Sequence, residues 1–350
     1  MRYRVHMRTV LKNLSLGIVF ALGVLAPSAV ADGEPADRTG TIARGGDGDA
    51  PGRHQYLVYT PRSVSQASRG TVPLVVVVHG CQTTARQQMA ATRYNDIADR
   101  EGFVVLYPDV DQSSRALPGP LHNCWRFFDS DSWHRGRGEA GAIARMTREV
   151  LRRPGIDPRR VYLAGMSAGG FMTSALAATD PDLYAAVAIA SAGAYADPGC
   201  LSVNPATRPV DELARLAYIE MGHRARIVPR LVIGGDRDDG IPSRCHEKAL
   251  RQGLLTNDLV ARRFGSPPMP TVASAVRHHR APHGYRSTVR DYRYGDCLVA
   301  QRWTVHGMGH YWSGGSPDPR WSRWTDPKGP DAAEISWQFF NTRTRTCRTR

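Results

Sequence analysis

Gly165-Met166-Ser167-Ala168-Gly169 sets a serine between two glycines, after a short apolar run at 161–164 and before a helix-like stretch at 171–178. Strand, G-x-S-x-G turn and helix together are the context of a nucleophile elbow. The turn is so tight that Ser167 must hold a strained backbone, and side chains at 165 and 169 would collide with the adjoining strand and helix. What the strain achieves is a hydroxyl raised above a sheet at a helix N-terminus, where the dipole favours developing negative charge. A neutral serine is still a weak nucleophile. It needs a base to take its proton and a carboxylate to orient that base.

Both partners follow the serine, each beyond an apolar run. Asp238 lies just past 231–235, with Asp236 and Asp239 beside it as rivals. His310 lies past 298–305 in a glycine-rich loop, with His306 at the strand end as its rival. A loop position can bring an imidazole back over the elbow, which favours His310. Ahead of the serine, the Leu/Val run 74–78 ends in His79-Gly80-Cys81-Gln82, where this arrangement places a second oxyanion donor. The backbone N–H groups of Cys81 and Ala168 are therefore the expected oxyanion hole. The set calls for no metal and no cofactor. His278, His279 and His283 lack acidic or cysteine partners and read as solvated loop histidines. Glu139, in the first turn of a helix, reads as a dipole partner.

The elements that must carry these residues alternate along the chain. Strands are expected at 56–59, 74–78, 103–107, 161–164, 185–190, 231–235, 289–294 and 298–305, and helices at 86–100, 139–152, 171–178, 211–220, 243–262 and 331–340. This order predicts one α/β catalytic domain over 53–342, a mostly parallel sheet flanked by helices. Residues 32–52 read as a loose leader, 264–282 as a polar Pro-rich connection and 343–350 as a basic tail. The loop 110–138 is long for a compact domain, as functional loops often are. Its Trp125-Arg126-Phe127-Phe128 could line a pocket wall or pin the loop to the core.

Residues 1–31 read as a secretory signal peptide: Arg2, Arg4, Arg8 and Lys12, then an apolar run, then Ala29-Val30-Ala31, with Asp32 as the mature N-terminus. The expected product is an exported monomer with no membrane partner. The net charge of +14 is almost all arginine, since Lys12, Lys248 and Lys328 are the lysines. The arginines are scattered and no binding motif accompanies them, so nucleic acid is not an expected partner. Six cysteines in an exported chain predict disulfides.

Several ordered motifs carry a family likeness. His79-Gly80-Cys81, Asn123-Cys124-Trp125, Arg137-Gly138-Glu139-Ala140, the elbow with Gly170, residues 307–315 and Thr325-Asp326-Pro327 resemble the poly(3-hydroxybutyrate) depolymerase family of secreted serine esterases. The resemblance runs from about Tyr56 to Phe340 and implies the α/β-hydrolase fold. It implies Ser167 as nucleophile and His310 as base, and favours Asp238 because the family's aspartate sits three residues before an apolar one, here Ile241. By the same likeness Trp125 and Trp312 touch substrate, and Cys81 pairs with Cys124. The chain departs from the family at Gly234-Gly235, where His-Gly is frequent, and shows no separate polymer-binding domain. Hydroxyalkanoate polyesters or oligomers are thus the first expected substrate. Feruloyl or acetylxylan esters come second, and a catalytically silent binding protein on the same scaffold is a remote third.

Overall fold

The computed structural model describes residues 40–46, 53–64, 70–201 and 208–343. Ten strands among them form one sheet: β1 (Thr41–Gly46), β2 (Gln55–Thr60), β3 (Val72–Val78), β4 (Val104–Pro108), β5 (Ile156–Met166), β6 (Ala186–Ala190), β7 (Arg230–Gly235), β8 (Ala275–Arg280), β9 (Arg286–Tyr294) and β10 (Cys297–Val305). Their order is β1-β2-β4-β3-β5-β6-β7-β10-β9-β8. The interior, from β4 through β10, is parallel. Both edges are antiparallel.

β3 shows why the interior reads as unbroken apolar runs. Leu74, Val76 and Val78 pack with Ile143, Met146 and Met172 of the helices Gly138–Leu151 and Ala168–Thr179 on one face. Val75 and Val77 pack with Met89, Ile97 and Phe340 of the helices Ala85–Thr92, Tyr94–Glu101 and Ala332–Asn341 on the other. A strand covered on both faces needs an apolar residue at every position. The fold is that of the α/β hydrolases, as the likeness implied.

Three expectations fail, for identifiable reasons. Part of the stretch read as a leader is strand β1, and part of the Pro-rich connection is β8, so His278 and His279 lie on an edge strand rather than in a loop. β8 is exposed throughout and β1 nearly so, which removes the alternation that would reveal them; backbone pairing with a neighbour holds both. The single helix expected at 86–100 is two, broken at Arg93, whose φ is 64°. The Ala91 carbonyl there accepts from Ser316 N–H at 2.8 Å, a partner distant in sequence. The expected signal sequence and nearly all of the basic tail lie outside the described residues.

Candidate active site

β5 runs straight into the elbow, and Ser167 caps the helix Ala168–Thr179 with φ 56° and ψ −123°. That conformation is costly for a residue with a side chain. It persists because its surroundings allow nothing else: a Cβ on residue 165 would strike the Gly169 carbonyl, and one on residue 169 the Val78 carbonyl of β3.

Loops after β7 and β10 bring the other two groups to the serine. His310 Nε2 lies 3.0 Å from Ser167 Oγ, and its Nδ1 lies 2.9 and 3.1 Å from the two oxygens of Asp238. A carboxylate only accepts, so Nδ1 carries the proton and Nε2 is left to accept from the hydroxyl. Asp238 is buried, and burial alone would raise its pKa. Bonds from His246 and His310, the nearby His310 charge and the Ile241 N–H at 2.7 Å outweigh burial and hold the carboxyl well below the usual range. The rivals form a separate pair: His306 Nδ1 meets Asp236 at 2.8 Å, both open to solvent, and Asp239 is exposed.

Cys81 and Ala168 flank Ser167 as the expected oxyanion donors. The Ala168 N–H is in the first turn of its helix, where no intrahelical acceptor exists. The Cys81 N–H shares a peptide plane with the Gly80 carbonyl, which accepts from Thr83 Oγ1 at 2.7 Å and from His79 Nδ1 at 2.7 Å. Fixing that carbonyl aims the N–H to the opposite side of a trans peptide. Cys81 is bonded to Cys124 as a disulfide, the Gln82 N–H donates to the His122 carbonyl at 2.8 Å, and Asn123 donates to the Thr83 carbonyl. Cys200 and Cys245 form a second disulfide, and Cys297 is disulfide-bonded as well.

Trp125 is not at the surface of the site. It is fully buried, stacked on His54 at 5.9 Å and tilted against His79 at 5.3 Å, and it packs inside the fold without lining the cavity at Ser167. Its neighbour Phe127 stacks on Phe171 at 4.5 Å, and Glu139 accepts from Ser114 Oγ at 2.6 Å and from the Arg126 N–H. The aromatic loop is thus pinned to the core, and Glu139 anchors it. Trp312 does line the cavity of about 210 Å³ that holds Ser167 and His310, together with Trp324 and Arg323, which the sequence reading missed. A larger cavity, about 440 Å³, lies beside β10 and the last helix and contains none of these groups. His54, Asp111 and Glu139 bring three ligand-type atoms within 4.8 Å of one another, but Asp111 and Glu139 are engaged as a helix cap and a loop anchor.

A family model described as Esterase PHB depolymerase matches residues 55–243, more than half of the chain. The chain belongs to this esterase family. The match takes in Ser167 and Asp238 and ends before His310. Among curated relatives, a poly(3-hydroxyalkanoate) depolymerase C from Paucimonas lemoignei is 34% identical over 42% of this chain and 33% of its own length. A feruloyl esterase B from Thermothelomyces thermophilus is 28% identical over 59% of this chain and 71% of its own. An acetylxylan esterase A from Emericella nidulans is 32% identical over 44% and 46%. The matched segment therefore spans only a third of the depolymerase and under half of the acetylxylan esterase. Among solved structures, an acetyl xylan esterase from Aspergillus awamori superposes with a TM-score of 0.63 at 20% identity, covering 86% of this chain and 99% of that one.

His246 is the other group that sequence reading passed over. It sits in the first turn of the helix Ser243–Arg263, fully buried, with Nε2 3.4 Å from Asp238 Oδ2, long for a hydrogen bond. Arg302 Nη2 faces its Nδ1 at 3.4 Å, and arginine can only donate, so the proton sits on Nε2, the nitrogen on the carboxylate's side of the ring. The ring fits because residue 234 is glycine: a Cβ there would lie 2.5 Å from His246 Cε1. The missing side chain at residue 234 is the space the ring uses.

Two outcomes follow from this geometry. Burial, aided by the Arg302 charge, holds His246 below the ordinary 6.5 despite Asp238. The unfolded chain therefore takes up this proton first on acidification. The stability tied to His246 is whole above about pH 6.5 and declines below it, by at most about 1.4 kcal/mol per pH unit. Urea melts at about pH 7.5 and about pH 5.5 should show this slope in the native protein and not in His246→Gln; an equal slope in both counts against the assignment. Cys124→Ser opens a disulfide of sequence separation 43. Its expected cost is about 4 kcal/mol in the chain-entropy model. Turnover should fall as well, on the order of a hundred-fold if the Cys81 donor loses its aim. Unchanged turnover with a lowered melting temperature would show that the bridge serves stability alone.

Proposed function

We propose that this protein is an exported serine ester hydrolase that cleaves poly(3-hydroxybutyrate) or related hydroxyalkanoate esters through an acyl-enzyme. The observation that carries the reading is the unbroken relay at 3.0 and 2.9 Å from Ser167 through His310 to Asp238, in a chain of this esterase family. His310 Nε2 takes the hydroxyl proton as Oγ attacks the ester carbonyl. The N–H groups of Cys81 and Ala168 receive the developing oxyanion, and Asp238 stabilises the imidazolium. His310 then gives its proton to the departing alcohol. Water, deprotonated by the same nitrogen, releases the acid and restores the serine. Feruloyl or acetylxylan ester hydrolysis is the second reading, because relatives with those printed activities match comparable lengths of this chain.

Ser167→Ala should remove release of p-nitrophenol from p-nitrophenyl butyrate, and retention of more than roughly one per cent of the rate would sink the triad. Asp238→Asn should be far more damaging than Asp236→Asn, since an amide cannot stabilise the imidazolium. Clearing of a polyhydroxybutyrate film, set against release of ferulate from a model ester, separates the two substrate readings. Export is supported by the leading basic–apolar–small segment and by the disulfides. No helix among the described residues is long and apolar enough to cross a membrane. The mature chain should begin at Asp32, read by N-terminal sequencing of the protein recovered outside the cytoplasm; an intact Met1 there would contradict it.

A further inference from the structure

The cavity beside Ser167 is walled by indoles and amides and carries an arginine at its mouth. Gln88 and Trp312 both line it and are only 6 % and 2 % exposed, yet Gln88 Nε2 and Trp312 Nε1 have no hydrogen-bond partner. Both nitrogens are enclosed in the wall, so the donor that reaches the open space is the guanidinium of Arg323. Arg323 stands at the rim, exposed, with its guanidinium donating to the neutral Gln82 Oε1. Many other arginines here sit against a carboxylate: Arg135 on Asp182, Arg148 on Asp180, Arg290 on Glu247 and Arg320 on Asp318. Among the described residues that line this cavity there is no carboxylate at all.

Gln82 follows Cys81 directly, so its amide holds the guanidinium next to the oxyanion loop. Trp312 and Trp324 supply the apolar walls between. An ester with an aliphatic body and an anionic end matches this layout: the body lies on the indoles, the end meets Arg323. We propose that the cavity is a carboxylate subsite, so that the enzyme favours hydroxyacid oligomers with a free acid end over esters whose ends are blocked or internal. The proposal rests on the ester-hydrolase reading of Ser167 and names the substrate class of that same site. Arg323 is a specificity residue here and takes no part in bond breaking.

The test compares the linear trimer of 3-hydroxybutyrate as free acid with its methyl ester, reading kcat/KM for each. The native enzyme should favour the acid roughly five- to tenfold at low salt, as suits a charge-assisted pair at a partly solvated rim. The preference should shrink at high salt. Arg323→Gln should bring the ratio close to one, and Arg323→Lys should keep an intermediate ratio, because a point charge replaces the planar fork. Equal rates on acid and ester, a preference that survives Arg323→Gln, or no turnover of either trimer each overturns the subsite. Release of p-nitrophenol from p-nitrophenyl butyrate, lost in Ser167→Ala, tells whether such a failure reaches the ester-hydrolase reading or stops at the cavity.

Discussion

A buried carboxylate charge is the constraint on which the site depends. Asp238 gives up water, and a lone carboxylate so placed would take a proton and cease to orient anything. It remains charged because donors surround it: His310 across the loop, the Ile241 N–H from its own turn and the proton-bearing edge of His246 beneath. Each comes from a different part of the chain. Arg302, buried and pushed down to about 10, is still cationic at neutral pH and fixes which nitrogen of His246 faces the aspartate. The orientation of His310, and hence of the serine it faces, is the last link of that arrangement.

The other half of the site is a matter of holding a peptide plane still. In the oxyanion role proposed for it, the Cys81 N–H has value only if it points where negative charge will appear, and a surface turn alone does not guarantee that. The chain secures it twice. Locally, Thr83 and His79 fix the Gly80 carbonyl. At longer range, the loop carrying Cys124 is bonded to Cys81, pinned by Phe127 on Phe171 and anchored by Glu139. This is how a long loop is tied to the core. Trp125 and Phe127 pack against the core, and Trp125 lies inside the fold without lining the cavity.

The basic composition has a structural use. Arg135 is bidentate to Asp182, Arg148 reaches buried Asp180, and Arg230 lies inside the fold donating to the Ala249 carbonyl. These arginines tie elements together, so a net charge of +14 does not by itself mark a polyanion surface. The cation that stands without a carboxylate at the mouth of the cavity gains meaning from that contrast.

Residue types and spacing alone carried the reading of Ser167 as nucleophile, the order of its proposed partners and the apolar sheet interior. These are local signals: Gly165 and Gly169 are demanded by contacts of the elbow with its own helix and the adjoining strand, and strands buried on both faces must be apolar at each position. Asp238 over Asp236 and Asp239, and His310 over His306, stayed open because neighbours along a loop have the same chemistry and differ only in which way they face. The structure separates them by burial, placing one pair at Ser167 and the other in solvent. Trp125 was misplaced for a related reason, since an indole is equally fit to pack under a loop or to face a ligand. β1 and β8 were invisible because an exposed edge strand is held by its neighbour's backbone, and His246 because its meaning depends on Gly234, a strand away. Side-chain type decides which chemistry is available; only the fold decides which atoms share a cavity and which are removed from water.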